Sequence, residues 1–258
     1  MRNGNNRVQF RSNALAFFCI LILLISACKA NAAGDEISPG EYIREGGDGR
    51  MLISKGTDGS LSFTINAQGS RGHSCGLAGV IKKDKATISS NDFPDCVVRF
   101  APVPGEIGVS DDPENNCHRA FCGMRADFQG TYLQPGFGCD TRAKRKVRMN
   151  FKSHYDNKDY SQALAALEPL LQKCGKTLSW VESGSIRNDV ALTKYKLNDF
   201  SGCLQTLEPM SKDIKEDDAS PMDIQWEDER NRVTVLNAAR FNARLCSSML
   251  KNSTAKKE

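Results

Sequence analysis

Between residue 40 and about residue 134, apolar positions alternate with polar ones or stand in short runs. Residues 61–68 (LSFTINAQ) alternate strictly, which predicts a strand with one buried face. Asp58 and Gly59, just before them, form a hairpin turn signal. Further strands are predicted at 50–54, 79–82, 86–89, 96–100, 106–110 and 128–133. The short intervals between turns predict an antiparallel meander that closes as a sandwich or small barrel.

After Cys139 the apolar positions take up helical spacing. One stripe with i, i+3, i+4 spacing predicts an amphipathic helix and consists of Tyr160, Ala163, Leu164, Leu167 and Leu171. A second such stripe consists of Val233, Leu236, Ala239, Ala243, Cys246 and Leu250. The glycine-containing stretch 136–138 is the natural boundary between the two patterns, and Asp140 with Thr141 can cap the next helix.

The helical half contains an internal repeat, because residues 155–170 match residues 195–210 at a constant offset of 40. This segment resembles the tetratricopeptide (TPR) family, with Ala163 and Cys203 at the small position where helices pack closely. The resemblance implies stacked helical pairs that share a core, with a last helix near 223–250 as a cap. Two features depart from the family: the period exceeds the usual 34 or so, and Pro169 and Pro209 should kink the second helices.

The predicted fold class is therefore α+β, with an N-terminal antiparallel β sandwich or barrel followed by a TPR-like helical domain. The predicted organisation is a signal peptide at 1–32, a disulfide-bonded β domain at 40–138 and the helical domain at 140–250.

The N-terminal segment has the features of an export signal. Three arginines precede an apolar run at 15–25, which is too short to span a bilayer but suits a signal-peptide core. Two cleavage sites compete: an Ala-Asn-Ala sequence before Ala33, and a lipobox-like sequence in which Cys28 would be lipidated. Both predict an exported protein of the periplasm or outer membrane, with membrane contact only through a lipid anchor at Cys28.

Eight cysteines follow the signal, and an even number in an exported chain predicts four disulfides. Cys203 and Cys246 lie on two apolar stripes that must face one core, so they are predicted to pair. The other predicted pairs are Cys139 with Cys174, Cys75 with Cys96, and Cys117 with Cys122.

The charge distribution gives no reason to expect a nucleic-acid partner. Residues 1–32 hold four of the 35 basic residues and none of the acidic ones, so the remainder carries 31 of each sign. A chain without net charge lacks the electrostatic footprint of nucleic-acid binding.

Few residues suggest catalysis or metal binding. His73 beside Cys75 could serve a thiol nucleophile, and Cys117, His118 and Cys122 offer three soft ligands. In both cases an oxidising compartment favours disulfides instead. The acidic stretch 111–116 lacks the alternating spacing of a calcium loop, which favours a solvated turn. We predict no catalytic residue, no cofactor and no metal ion.

A dense basic run consists of Arg142, Lys144, Arg145, Lys146 and Arg148. It predicts either a site for an acidic partner or an anionic envelope polymer, with Arg142, Lys144 and Arg145 as the contact residues, or simply the solvated face of a helix.

By architecture and compartment, the whole chain resembles exported lysozyme-inhibitor-like or immunity-like proteins of the Gram-negative envelope. The resemblance implies a non-catalytic protein-binding protein, whose partner would be a lysozyme-like hydrolase or a secreted toxin. The alternatives are an envelope assembly or scaffold factor that uses the helical domain, and an enzyme acting on envelope glycans.

Overall fold

A computed structural model describes residues 36–89, 93–111, 117–216 and 227–255. The predicted signal peptide, its two cleavage sites and the lipidation site Cys28 lie outside the described residues, as does most of the acidic stretch 111–116.

The N-terminal half is an eight-stranded antiparallel sheet that curls into a near-closed barrel, which confirms the predicted fold class. Its strands are β1 (Gly40–Arg44), β2 (Gly49–Lys55), β3 (Leu61–Gln68), β4 (Ser74–Ile81), β5 (Lys85–Ile88), β6 (Cys96–Val103), β7 (Glu106–Asp111) and β8 (Gly130–Leu133). Their order in the sheet is β4-β3-β2-β1-β8-β7-β6-β5. Seven of these strands overlap the predicted ones, whereas β1 was not predicted.

Alternation along the strands builds the barrel core. On β3, Phe63, Ile65 and Ala67 are buried while the residues between them are exposed. The same inward positions of the neighbouring strands complete a single cluster, in which the rings of Phe63 and Phe100 lie 5.0 Å apart in an edge-on contact. Burial of these side chains on one face fixes the register of the sheet.

The barrel has a seam between the end strands β4 and β5. A tight turn joins them, but β5 has four residues and β4 has eight, so β5 covers only part of the β4 edge. The short helix α1 (Cys117–Phe121) contacts β4 and β6 at this seam. It is fastened on both sides by disulfides, Cys75–Cys122 to β4 and Cys96–Cys117 to β6.

The predicted barrel pairs, Cys75 with Cys96 and Cys117 with Cys122, were therefore wrong. They assumed that Cys75 and Cys96 lie on neighbouring strands. In the sheet their strands stand near opposite ends of the order, and the chain around α1 lies between them. The bridges in the helical half, Cys139–Cys174 and Cys203–Cys246, have the predicted partners.

The C-terminal half is helical. Its helices are α2 (Thr141–Asp156), α3 (Tyr160–Leu167), α4 (Pro169–Lys173), α5 (Trp180–Lys196), α6 (Phe200–Leu207), α7 (Ser211–Glu216) and α8 (Glu227–Ala255). Asp140 caps α2 by accepting a hydrogen bond from the backbone of Ala143, as the sequence predicted.

The sequence repeat is also a structural repeat. Asp159 and Asp199 cap α3 and α6 in the same way, accepting from the backbone three residues on. The residue before each cap has a φ of 62°. Each second helix ends two residues before its proline, since a proline lacks the N–H that would continue the helix.

The last helix, α8, packs along α5 and α6. Gly184 on α5 allows this approach, since an added Cβ there would stand 2.5 Å from the Val235 side chain on α8. The Cys203–Cys246 bridge joins α6 to α8 in the same core. Tyr155, Tyr195 and Trp180 pack against the helical cores but remain half-buried.

Among the described residues, contacts in three regions join the barrel to the helices. The Gly46 N–H donates to the Lys176 carbonyl, and Gly47 lies directly against the backbone of Leu178 and Ser179. A second contact joins Glu41 on β1 to the Thr141 hydroxyl at 2.6 Å.

The third contact joins the barrel to the start of α8. The carboxylate of Asp228 accepts hydrogen bonds from the backbone N–H groups of Arg71 and Gly72. The Arg71 guanidinium also pairs with Glu229 at 3.2 Å. These polar contacts lie far apart along the chain, so they fix the barrel against the helices at several points.

Candidate functional site

A cleft of about 930 Å³ lies where the barrel meets the helices. One wall comes from the β1–β2 turn and the end of β3, and the other from α2 and α5. The volume is within the range of binding sites in proteins, and a site at a junction of two substructures is a common location.

The floor of the cleft is a set of ion pairs. Lys144 is 8% exposed, and its Nζ lies 3.0 Å from the Glu182 carboxylate. Glu182 also accepts from the backbone of Ser179, and Ser179 caps α5 in return. One carboxylate thus fixes both the N-terminus of α5 and the cation of α2.

A second pair lies farther along the same two helices. The Arg148 guanidinium stands 3.6 Å from Asp189 and donates to the Ser185 hydroxyl. Burial raises the pKa of Asp189 above its usual value, and the nearby Arg148 charge lowers it by less. Burial also raises the pKa of Tyr155, which lines the cleft on α2.

On the barrel side, Arg50 pairs with Glu41 at 2.6 Å. Burial acts to raise the pKa of Glu41, but hydrogen bonds from Thr141 and Arg50 lower it below its usual value. The ionised carboxylate is therefore the form that ties β1 to the start of α2.

Arg145 differs from the other cations of the cleft. It is exposed, it lines the cleft, and no ion-pair partner for it occurs among the described residues. Met149, one turn further along α2, is 67% exposed beside it. The cleft therefore presents an unpaired cation and an apolar side chain above a floor whose charges are already neutralised.

The three predicted contact residues have different environments in the structure. Arg145 faces the cleft, Arg142 is exposed but is not among the residues lining it, and Lys144 is buried in its ion pair. Lys144 therefore joins α2 to α5 within one wall of the cleft and is not an accessible contact. Glu182, Asp189 and Arg50 could not be predicted from the sequence, because isolated charges in helices and strands carry no spacing signal.

A second cleft of about 880 Å³ shares Gly47, Asp48, Gln68 and Ser179 with the first. Two of its cations are engaged with neighbouring side chains. The Arg232 guanidinium lies 4.4 Å from the centre of the Trp180 ring, and Arg44 pairs with Asp48 at 2.7 Å. The second cleft also has an exposed cation, Arg125, so the first cleft is the better candidate because it contains the basic residues of α2 that the sequence indicated.

The cysteines among the catalytic and metal candidates of the sequence are oxidised, so none of them is free as a nucleophile or as a thiolate ligand. Cys75, Cys117 and Cys122 are all in disulfides, and the His118 ring nitrogen lies 2.7 Å from the Ala126 carbonyl. His73 packs against Gly123 in the barrel. Within the described ranges no three histidine, cysteine or acidic side chains are grouped to hold a metal ion.

Comparison of the chain with protein-family models, curated proteins and solved structures returns no match. In the part of the chain that the structure describes, no helix has the length and apolar character needed to cross a membrane. The four disulfides point to an oxidising, extracytoplasmic location.

The two roles in the basic run can be separated by mutation. We expect Lys144→Glu to lower the free energy of unfolding by about 2 kcal/mol, because it sets a like charge against Glu182 in a buried position. This figure is below the range of about 3–5 kcal/mol for fully buried pairs, since the Glu182 side chain is 42% exposed. Arg142→Glu should change the free energy of unfolding by less than about 0.5 kcal/mol. Urea denaturation of both variants measures the difference, and equal losses would contradict the structural role of Lys144.

Proposed function

We propose that the protein is an exported, non-catalytic protein-binding protein of the bacterial envelope, and that it holds an acidic segment of its partner in the first cleft. The observation that carries the proposal is Arg145, an exposed cation with no ion-pair partner among the described residues, which lies beside Met149 in the first cleft. The neutralised floor below them would leave Arg145 as the charge that a carboxylate of the partner meets first.

Several features support binding over chemistry. In the described residues, the groups that line this cleft include no histidine and no cysteine. Most of the cleft's charged side chains are held in ion pairs within each wall, between β1 and β2 on one side and between α2 and α5 on the other. A rigid, pre-formed site lowers the entropy cost of binding.

The partner class that we propose is a lysozyme-like hydrolase or a secreted toxin, which would make the protein an inhibitor or an immunity protein. The helical hairpins, with their 40-residue repeat, support a relationship to the TPR family, and helical repeats commonly present extended binding surfaces. Turnover of peptidoglycan by purified lysozyme-like hydrolases, with and without an excess of the protein, tests the inhibitor role. If the protein changes none of these rates, the inhibitor role is contradicted, and the immunity role is then tested against toxins.

For its location we propose the periplasm or the outer membrane. The mature protein would start at Ala33 or, as a lipoprotein, at acylated Cys28. The intact mass of the protein isolated from cell envelopes distinguishes the two forms, and an unprocessed chain in the cytoplasm would contradict both.

Arg145 provides the test of the cleft itself. A partner is first isolated from envelope extract with the wild-type protein and identified, and its affinity is then measured with purified components. We expect Arg145→Glu to weaken that affinity about tenfold or more, mainly through slower association, and the wild-type association rate to fall with added salt. Lys55→Glu, at the opposite end of β2 from the cleft, is the matched control and should bind as the wild type does.

One observation favours a second candidate, an enzyme acting on envelope glycans. Asp189 lines the cleft and its pKa is raised by burial, which is a property of general acids. If the wild type degrades labelled peptidoglycan and Asp189→Asn does not, the enzymatic role would replace the binding role.

A further inference from the structure

The turn between the barrel and the helices carries an unusually exposed aromatic side chain. Phe137 is the most exposed large apolar residue of the described chain, with its full side-chain surface in solvent. Single apolar side chains on a surface are common, so exposure alone carries no argument. The backbone conformation that presents Phe137 to solvent is the feature that supports a binding role.

Phe137 sits at the tip of a rigid β-turn. The Cys139 N–H donates to the Gly136 carbonyl at 2.9 Å, so residues 136–139 form a hydrogen-bonded turn with Phe137 as its second residue. Gly138 at the third position has a φ of +85°, which is the requirement of a type II turn. The next residue, Cys139, is fixed by its disulfide to Cys174.

No other described part of the chain lies close to the two glycines that flank Phe137. A Cβ added at Gly136 or at Gly138 would meet nothing within 4 Å. The left-handed φ at position 138 requires glycine. Gly136 has no left-handed φ, so the backbone conformation does not require glycine there.

Cations follow the turn directly. Arg142 and Lys146 stand one helical turn apart at the start of α2, both exposed and both without an ion-pair partner in the described ranges. At about 1.5 Å of rise per residue, Lys146 lies about 8 Å along the axis from the first residue of α2. A partner surface that receives the ring would therefore meet positive charge at its edge.

We propose that Phe137 is an anchor residue that inserts into an apolar pocket of a partner protein whose rim is acidic. The proposal rests on the proposed binding function and extends it to a second contact outside the cleft. A rigid aromatic anchor is the kind of residue that dominates interface energies, because little side-chain freedom is lost when it is buried. A lone ring at a turn offers too little apolar area for stable membrane insertion, which is why a protein pocket is favoured.

The experiment places a photo-reactive phenylalanine, p-benzoylphenylalanine, at position 137 of the full-length chain in living cells, and in a second variant at position 149 in the cleft, where it replaces the exposed Met149 and leaves Arg145 in place. Crosslinked peptides identify the partner residue, and affinities are then measured with the purified partner. We expect position 137 to crosslink into an apolar pocket flanked by Asp or Glu. We expect Phe137→Ser to weaken binding about 30-fold and Phe137→Leu to weaken it much less. Phe241→Ser, at an exposed phenylalanine of α8, is the control and should have no effect.

The other outcomes separate this inference from the function on which it rests. If a partner captured at position 149 binds Phe137→Ser as tightly as the wild type, the anchor is refuted and the binding function stands. If position 137 crosslinks to lipid, or if Phe137→Ser abolishes binding to phosphatidylglycerol vesicles, the anchor contacts a membrane and the proposal is overturned. If neither position crosslinks to any protein, both proposals fail. Thermal melts of the variants should match the wild type, since Phe137 contributes nothing to the core.

Discussion

Replacing Gly47 with Ala is expected to detach the β1–β2 turn from the start of α5 and to lower the free energy of unfolding by about 3 kcal/mol. The added Cβ would stand 2.1 Å from the backbone nitrogen of Ser179 and 2.4 Å from the Leu178 carbonyl carbon. Backbone atoms cannot rotate away as a side chain does. The φ of +78° adds the ordinary cost of placing Ala in a left-handed conformation, about 1 kcal/mol.

The neighbouring glycine provides a matched control. Gly46 has a φ of +92°, but a Cβ there would meet nothing within 4 Å. Gly46→Ala should therefore cost only about 1 kcal/mol, the conformational part of the Gly47 effect. Urea denaturation gives both values, and hydrogen exchange of the Gly46 N–H, which bonds to Lys176, reports whether the contact opens. Equal losses in the two variants would show that the close approach of Gly47 does not hold the barrel to the helices.

The second large effect concerns the bridge between α6 and α8. Replacing both Cys203 and Cys246 with Ala should lower the stability of the helical half by about 4 kcal/mol, because the disulfide closes a loop of 43 residues. Both cysteines are fully buried, so the loss of two sulfur atoms from the core acts in the same direction. For a chain of this size the melting temperature should fall by about 10 °C.

Hydrogen exchange measured peptide by peptide locates the loss. Peptides from α6 and α8 should exchange faster in the double variant, whereas peptides from the barrel strands should keep their protection. A melt identical to that of the wild type would mean that packing around Gly184 and Val235 alone holds α8 in place. Early loss of protection in the barrel would mean that the two halves unfold as one unit.

Most of the fold could be predicted from local periodicity. The strict alternation of β3 and the apolar stripes of α3 and α8 fixed both the type and the approximate bounds of these elements. Strand β1 was missed because Tyr42 and Ile43 are adjacent and both buried, so the strand shows no alternation. Its place in the sheet comes from pairing with β2 on one side and β8 on the other, which is a non-local property.

The same distinction applies to the disulfides. Cys203 and Cys246 lie on helical stripes, and an apolar face can be recognised from sequence. The barrel pairs depend on where α1 crosses the seam, and nothing in the residues around Cys117 shows which strands lie on its two sides.

The candidate site was only partly predictable. The basic run predicted contact residues on α2, but its spacing could not show that Lys144 points inward while Arg145 faces the cleft. That difference depends on Glu182, which lies 38 residues away on α5. Arg50 and Gly47 come from the barrel, so no pattern within the helical half could have included them.

The connectivity of the barrel bridges has a consequence for how the protein matures. Cys75–Cys122 encloses Cys96–Cys117, so the two bridges are nested, whereas the helical bridges join consecutive cysteines. An oxidase that joins thiols in the order in which they emerge would link Cys75 to Cys96 and produce a non-native barrel. Correct pairing then requires thiol–disulfide exchange through a mixed disulfide. The yield of native barrel should therefore depend on a disulfide isomerase, while the helical half needs only an oxidant.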